Sequence, residues 1–231
     1  MDVLWYITQI AFFSVIFRYT SLLGGWNYNQ VIIFMGSIFF IDALHMTIFS
    51  NNIWWLPVYI NKGELDYYLI RPISSLFFLT LRDFAANSFM NLILSFSFLI
   101  WSIYNYEQTI ELQNLFVYSI LLVSGFLIFS ILSILFTIPV FWTHSGKGFK
   151  DIFSSLQRFG NQPHQIYTGF VKKLLLSVLP FSLIASVPVS VLFDGWTMKI
   201  VGCYIVCLFF LITILLIVWK LGLKTYSSAS S

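Results

Sequence analysis

The chain has 231 residues, 59% of them hydrophobic and only 9% charged, with 12 Lys+Arg against 9 Asp+Glu for a formal net charge of +3. A soluble domain carries roughly 25% charged residues because its surface faces water, so this composition, with a mean hydropathy of +0.88, excludes one. Six bilayer crossings at roughly 20 residues each use about 120 and leave short loops, with no room for a nucleotide-hydrolysing domain.

Taken in order, the apolar runs predict spans at about 3–23, 28–50, 84–103, 115–142, 174–193 and 198–219. Residues 1–231 then form a single transmembrane domain. Lipid offers backbone amides no partners, and runs near 20 residues without alternation satisfy them as helices. The first run is expected to be a retained span: Asp2 stands where a signal peptide is basic, and no A-x-A site follows. The second carries Asp42 and His45, i,i+3 on one helical face. Ionisable residues at membrane depth usually face the bundle interior or a cavity. The pair therefore reads either as a polar patch on a substrate path or as a mutually satisfied packing contact.

The loop after this span begins with the apolar run Ile53–Ile60 and continues Asn61-Lys-Gly-Glu-Leu-Asp-Tyr-Tyr-Leu-Ile-Arg-Pro-Ile-Ser-Ser75. Gly63 is expected to turn the chain with a positive φ, Glu64 and Asp66 to project into the cytosol, and Arg71-Pro72 to stop the helix. The loop at 104–113 holds Glu107 and Glu111 and no Lys or Arg. Between 143 and 173 the reading divides. Phe149, Ile152, Phe153 and Leu156 recur at helical spacing opposite Lys147, Lys150, Ser154, Ser155 and Arg158, which predicts an amphipathic helix in the inner interface. Burying Lys147, Lys150, Asp151 and Arg158 at mid-membrane would cost roughly 2.5–3.5 kcal/mol each. The charge-free run 174–193 is therefore the expected fifth span, despite Pro180 and Pro188. Cys203 and Cys207, i,i+4 in the sixth run, read as packing residues.

With the N-terminus cytoplasmic, ten of the twelve basic residues lie inside and only Arg18 and Lys199 outside, so both termini are expected to be cytoplasmic. The eight tryptophans fall near span ends, as an aromatic belt would place them. The fold class expected is an all-α polytopic membrane protein: six transmembrane helices with interfacial amphipathic helices. Catalytic and metal constellations are thin. His45, His144 and His164 are dispersed, and Ser145-Gly146-Lys147-Gly148 lacks the remainder of a phosphate-binding loop.

The string from Asn61 to Phe77 resembles the G-x-L-D-x-x-L-x-R-P hallmark of ABC-2 family permeases, above all a six-span branch once known as a domain of unknown function. Gly25-Trp26 before the second span, Ile166-Tyr167 with Leu179-Pro180-Phe181 and Val187-Pro188, and the basic ending from Trp219 agree in order, over nearly the whole chain. The resemblance implies the membrane-spanning subunit of an ABC exporter in a bacterial plasma (inner) membrane. It implies pairing with a second permease subunit, identical or related, and drive from a separate cytosolic ABC ATPase that binds the ATP and Mg. This chain would then hold no cofactor of its own and contact lipid but no nucleic acid. Gly63, Glu64, Leu65, Asp66, Arg71 and Pro72 would form the ATPase-coupling loop. The analogy also allows a fifth span beginning before Gly160, with the Pro-rich stretch re-entrant from outside; the charge cost argues the other way. The competing readings are a membrane scaffold or receptor module, and an intramembrane enzyme using Asp42 and His45.

Overall fold

The computed structural model describes residues 2–226. Twelve α-helices follow in order: α1 Asp2–Ile16, α2 Tyr28–His45, α3 Asn51–Asn61, α4 Asp66–Leu69, α5 Ser75–Leu81, α6 Phe89–Tyr104, α7 Leu112–Thr137, α8 Val140–Thr143, α9 Lys147–Gly160, α10 Gly169–Leu176, α11 Ser186–Asp194 and α12 Met198–Thr225. A π-helical turn, Met46–Ser50, joins α2 to α3, so Tyr28–Asn61 is one 34-residue helix. At roughly 1.5 Å per residue it is about 51 Å long, well beyond the roughly 30 Å of a hydrocarbon core. With α2 drawn pointing downward, Tyr28 marks the upper end of the bundle and Asn61 the lower. Four helical stretches are long and apolar enough to cross a membrane, Tyr28–Asn61, Ala86–Tyr104, Leu112–Thr143 and Met198–Thr225, and α1 is a shorter apolar helix.

Local chemistry sets the ends of α2–α3. Asn27 and Gln30 make a reciprocal capping box at its start. At its finish the Gly63 amide donates to Ile60 and the Glu64 amide to Tyr59, and Gly63 takes φ +70°. This is the Schellman turn that glycine permits without a Cβ penalty. The helix sits in the middle of the bundle. It pairs antiparallel with α1, where Ser14 meets the Tyr28 hydroxyl at 3.0 Å and Tyr6 stacks on Phe39. It pairs antiparallel with α6 along Phe39–Phe98 and Phe40–Phe96. A buried Ser37–Tyr118 contact of 2.8 Å ties it to α7. By contrast α6 and α12 leave most of their apolar surface outward, the face a bilayer would cover.

The segment 143–197 departs most from the sequence expectation. The run 174–193 is not one helix: α10 ends at Leu176, Pro180 interrupts the chain, a 3-10 turn spans Phe181–Leu183, and α11 starts at Ser186. Proline has no N–H and its ring blocks the preceding turn. Helices of this length reach only about 12–14 Å, so neither crosses alone. Nor does α9 lie flat at the lower end. Its N-cap Gly146 is closest to Pro57, Lys150 covers the Trp54 ring, and Gly160 abuts Phe181. Gln165 and Ile166 then reach Gly24 in the α1–α2 turn. Successive neighbours on α2–α3 thus run from 57 upward: α9 climbs the bundle, α10 turns back, and α11 rises to Phe193, which packs on Tyr106 and Trp26.

The break is stabilised by contacts distant in sequence. The Tyr204 hydroxyl of α12 donates to the Leu183 carbonyl at 2.6 Å. Ser186 accepts the His164 amide at 2.8 Å and meets the His164 ring nitrogen at 2.7 Å. Gly125 lets α7 touch the turn; a Cβ there would lie 2.0 Å from the Ile184 carbonyl oxygen. This placement also revises the charge map. Lys62, Arg71, Arg82, Lys147, Lys150, Lys220 and Lys224 cluster at the lower end, whereas Arg158, Lys172 and Lys173 lie on the climbing and returning helices. Of the tryptophans, Trp54, Trp55, Trp101, Trp142 and Trp196 are exposed, but Trp26 and Trp219 are core residues. Trp219 packs on Phe141 and donates to Ser75. Cys203 and Cys207 are free.

Candidate functional site

Two places gather the candidate residues, and both lie on α2–α3 or its lower continuation. The first is the loop beyond α3. Leu65 is fully buried (0% exposed) and anchors the turn, while Glu64 is exposed and Asp66 half-buried at its tip. The Arg71 guanidinium lies 4.7 Å from the Phe78 ring centre. Among the described residues the ion pair of this region is Arg82–Asp83 at 2.6 Å. Arg82 also donates to the hydroxyls of Tyr59 on α3, at 2.9 Å, and Tyr68 on α4. The Asp83 hydrogen bond is the main influence holding the guanidinium above its usual pKa. Asn52 completes the brace, accepting the Asp83 amide at 3.1 Å and donating to its carbonyl at 2.8 Å. The loop is therefore clamped back onto the helix that precedes it, with Gly63, Glu64 and Asp66 outside the clamp. Sequence reasoning passed over Arg82 and Asp83; adjacent opposite charges at the end of an apolar run were the available signal.

The second place is a cleft of about 720 Å³ between α2–α3, α7 and α9. Asp42 and His45 both line it, so the structure brings together the pair singled out from spacing. Their roles separate, however. The His45 ring is buried against Phe129, with Nδ1 3.2 Å from the Ser130 hydroxyl of α7. Asp42 is half-buried and also borders a small gap beside Gln157, Gly160 and Phe181. The π-helical turn supplies Met46 and Ser50 to the same wall. Such turns widen a helix locally and often accompany functional sites. At the lower mouth stand Trp54, Lys147 and Lys150, which the sequence pattern does not join to Asp42. They come from helices far apart in the chain, and no spacing rule links them. No group of three or more His, Cys, Asp or Glu able to hold a metal occurs among the described residues.

A long central helix, a clamped charged loop beyond it and a climbing polar helix beside a cleft suit a transporter better than a packed catalytic pocket. The sequence profile of the ABC-2 family transporter proteins matches residues 3–230. The chain belongs to that family. As an ABC-2 protein it is a membrane permease, and its apolar helices are transmembrane segments. No curated protein and no solved structure matches the chain significantly.

Proposed function

We propose that this permease is the membrane half of an ABC exporter, that its lower end is cytoplasmic, and that a separate ATPase docks on the loop beyond α3. The observation that carries the reading is the overshoot of α2–α3: the helix is longer than hydrocarbon requires and ends in a glycine turn bearing Glu64 and Asp66. The Arg82 clamp makes this loop and the central helix one lever, so a push on the tip reaches the cleft wall. ATP and Mg belong to the partner in this scheme.

The polar side of α9 supports pairing with a second permease subunit, identical or related. Asp151, Ser155 and Arg158 are exposed there on a helix that climbs the bundle. Charges left in hydrocarbon cost roughly 2.5–3.5 kcal/mol each at mid-depth. A path shared with a second subunit keeps them wet, and six crossings result if α9 with the re-entrant α10–α11 turn counts as the fifth. The membrane in this reading is a bacterial plasma (inner) membrane.

The test is ATPase recovered per permease in detergent pull-downs. A Glu64→Lys/Asp66→Lys double variant is expected to insert normally yet lose most of the ATPase, because charge-assisted contacts contribute roughly 1.5–3 kcal/mol each when desolvated. Unchanged recovery would move the docking surface elsewhere. Orientation is read in a Cys203→Ser/Cys207→Ala background. Cysteines placed at Gln108 and Thr168 should react with an impermeant reagent outside intact cells, and one at Gly148 should not. Silence at Thr168 with labelling at Gln108 would restore a flat α9.

A further inference from the structure

The cleft has a chemical polarity that its position alone does not explain. Its apolar wall is aromatic, with Phe129 and Phe136 of α7 facing Phe153 of α9. Its mouth carries two lysines against one carboxylate, Asp151. The Lys150 ammonium sits 3.5 Å from the Trp54 ring centre, and Lys147 is one turn away on the same helix. Among the described residues neither lysine forms an ion pair with a carboxylate. Trp54 is 62% exposed, so its ring holds the ammonium at the rim without closing the opening. The deep end is different again. Asp42 stands there, several helical turns above Trp54 on the same continuous helix. An anionic group is drawn to the lysines at the rim, while the aromatic wall beyond them accepts a chain. The cleft, at about 720 Å³, is large enough to enclose such a molecule. Ligand sites of this size, apolar with a few placed polar groups, are the usual form for small molecules.

We propose that this cleft binds an amphipathic anion, a phosphate- or carboxylate-headed molecule with an apolar tail. Lys147 and Lys150 hold the head, and Phe129, Phe136 and Phe153 receive the tail. Both lysines point their charge at one opening beside an exposed indole, where headgroups of a bilayer leaflet would lie. Two sources share this chemistry: a phospholipid of the surrounding leaflet and an amphipathic cargo. Only the word cargo rests on the permease reading. Binding belongs to the isolated chain and is measured without an ATPase, so its failure and a failure of ATPase docking are separate results.

The probe is dodecyl phosphate, titrated into the purified full-length chain in an uncharged maltoside detergent and followed by tryptophan fluorescence. Loss of the signal in Trp54→Phe identifies the reporting ring. The wild-type chain should bind the probe saturably, and K147Q/K150Q should weaken binding at least about tenfold, the equivalent of one charge-assisted contact. K220Q/K224Q removes two exposed lysines at the same end but outside the cleft. That variant should change affinity less than about twofold. Because a double glutamine variant could fail to fold, K147E/K150E supplies an independent arm: it should prefer dodecyltrimethylammonium to dodecyl phosphate. Inorganic phosphate alone should compete at least about tenfold more weakly than the alkyl phosphate, since it forfeits the aromatic wall. In phosphatidylcholine nanodiscs, displacement of the probe by added phosphatidylglycerol supports the site with leaflet lipid as occupant. Retention of the probe supports it with a non-lipid amphiphile. Equal affinity in wild type and K147Q/K150Q, no change of preference in K147E/K150E, or inorganic phosphate competing as strongly as the alkyl phosphate would each overturn the proposal.

Discussion

Between Tyr28 and Tyr104 the chain crosses the bundle down and up with α2–α3 and α6, whose buried contacts are chiefly aromatic and aliphatic: Phe39 on Phe98, Phe40 on Phe96. Between Lys147 and Asp194 it climbs, turns back and climbs again through α9, α10 and α11, pinned by His164 on Ser186, Tyr204 on Leu183 and Gln165 on Ser190. Both regions must hide backbone polar groups from lipid. The first does so chiefly inside its helices, by main-chain bonds that need only apolar length, with the Asn52 brace on Asp83 as a polar exception. The second breaks its helices at Pro180 and recruits side chains from other elements to cover what the break exposes. The first region is therefore tolerant of side-chain change and the second depends on single atoms.

The sharpest way to break the comparison is at the point where the two kinds of region touch. Gly125 on α7 faces the Ile184 carbonyl, and a methyl group there would sit 2.0 Å from that oxygen. Backbone cannot swing aside as a flexible side chain would. Gly125→Ala is expected to destabilise the protein by about 3 kcal/mol or more, read as loss of monodisperse protein and a lower melting temperature in detergent. Gly202→Ala on α12, with nothing within 4 Å of the added carbon, is the matched control and should be nearly neutral. Equal behaviour of the two variants would mean that the re-entrant turn is not docked on α7.

Much of the first region was legible from sequence for the same reason that it is tolerant. Hydropathy and length describe a helix that satisfies itself, so the starts at Tyr28 and Met198 were readable. The positive φ at Gly63 was readable because a charged turn after an apolar run needs a glycine there. The continuation of α2 through α3 was not: Trp54 to Ile60 is apolar enough to read as a separate segment, and only the structure shows one 34-residue helix. The climb of α9 was weighed and ranked second, on a sound premise. Lys147, Asp151 and Arg158 would be costly in lipid, but a helix can rise through the bundle when its charged side is turned to a cleft or an open face. Sequence shows the charges and not what they face. Asp42 and His45 were found from their i,i+3 spacing at membrane depth, whereas Ser130, which holds the His45 ring, is one of many serines in apolar runs and gave no signal.

A second test sharpens the dependence on single atoms. Ser186 is fully buried (0% exposed) and its hydroxyl serves both the amide and the ring of His164. Ser186→Ala removes one oxygen and leaves a half-buried amide without this partner, a cost of about 1 kcal/mol. The melting temperature should fall by an amount between those of Gly125→Ala and any polar deletion between α2 and α7. Hydrogen exchange at the His164 amide should rise with it. A fall in melting temperature with unchanged exchange at that amide would place the loss somewhere other than this pin.

The smallest effect is expected where a polar contact lies inside the tolerant region. The Tyr118 hydroxyl of α7 meets the Ser37 hydroxyl at 2.8 Å, and both residues are buried. The Ser37 hydroxyl also donates to the Ile33 carbonyl one turn back along its own helix. Removing the phenol oxygen in Tyr118→Phe therefore leaves Ser37 satisfied and deletes an acceptor and donor together, so no buried group is stranded. Interhelical hydrogen bonds of this kind average about 0.6 kcal/mol in membrane proteins, and the Phe ring keeps the packing volume. The expected outcome is a loss near that value in a reversible detergent unfolding series, clearly less than for Ser186→Ala. A loss at Tyr118 as large as that of Ser186→Ala would erase the distinction between the two regions, because it would show that the long helices too are held by individual polar atoms.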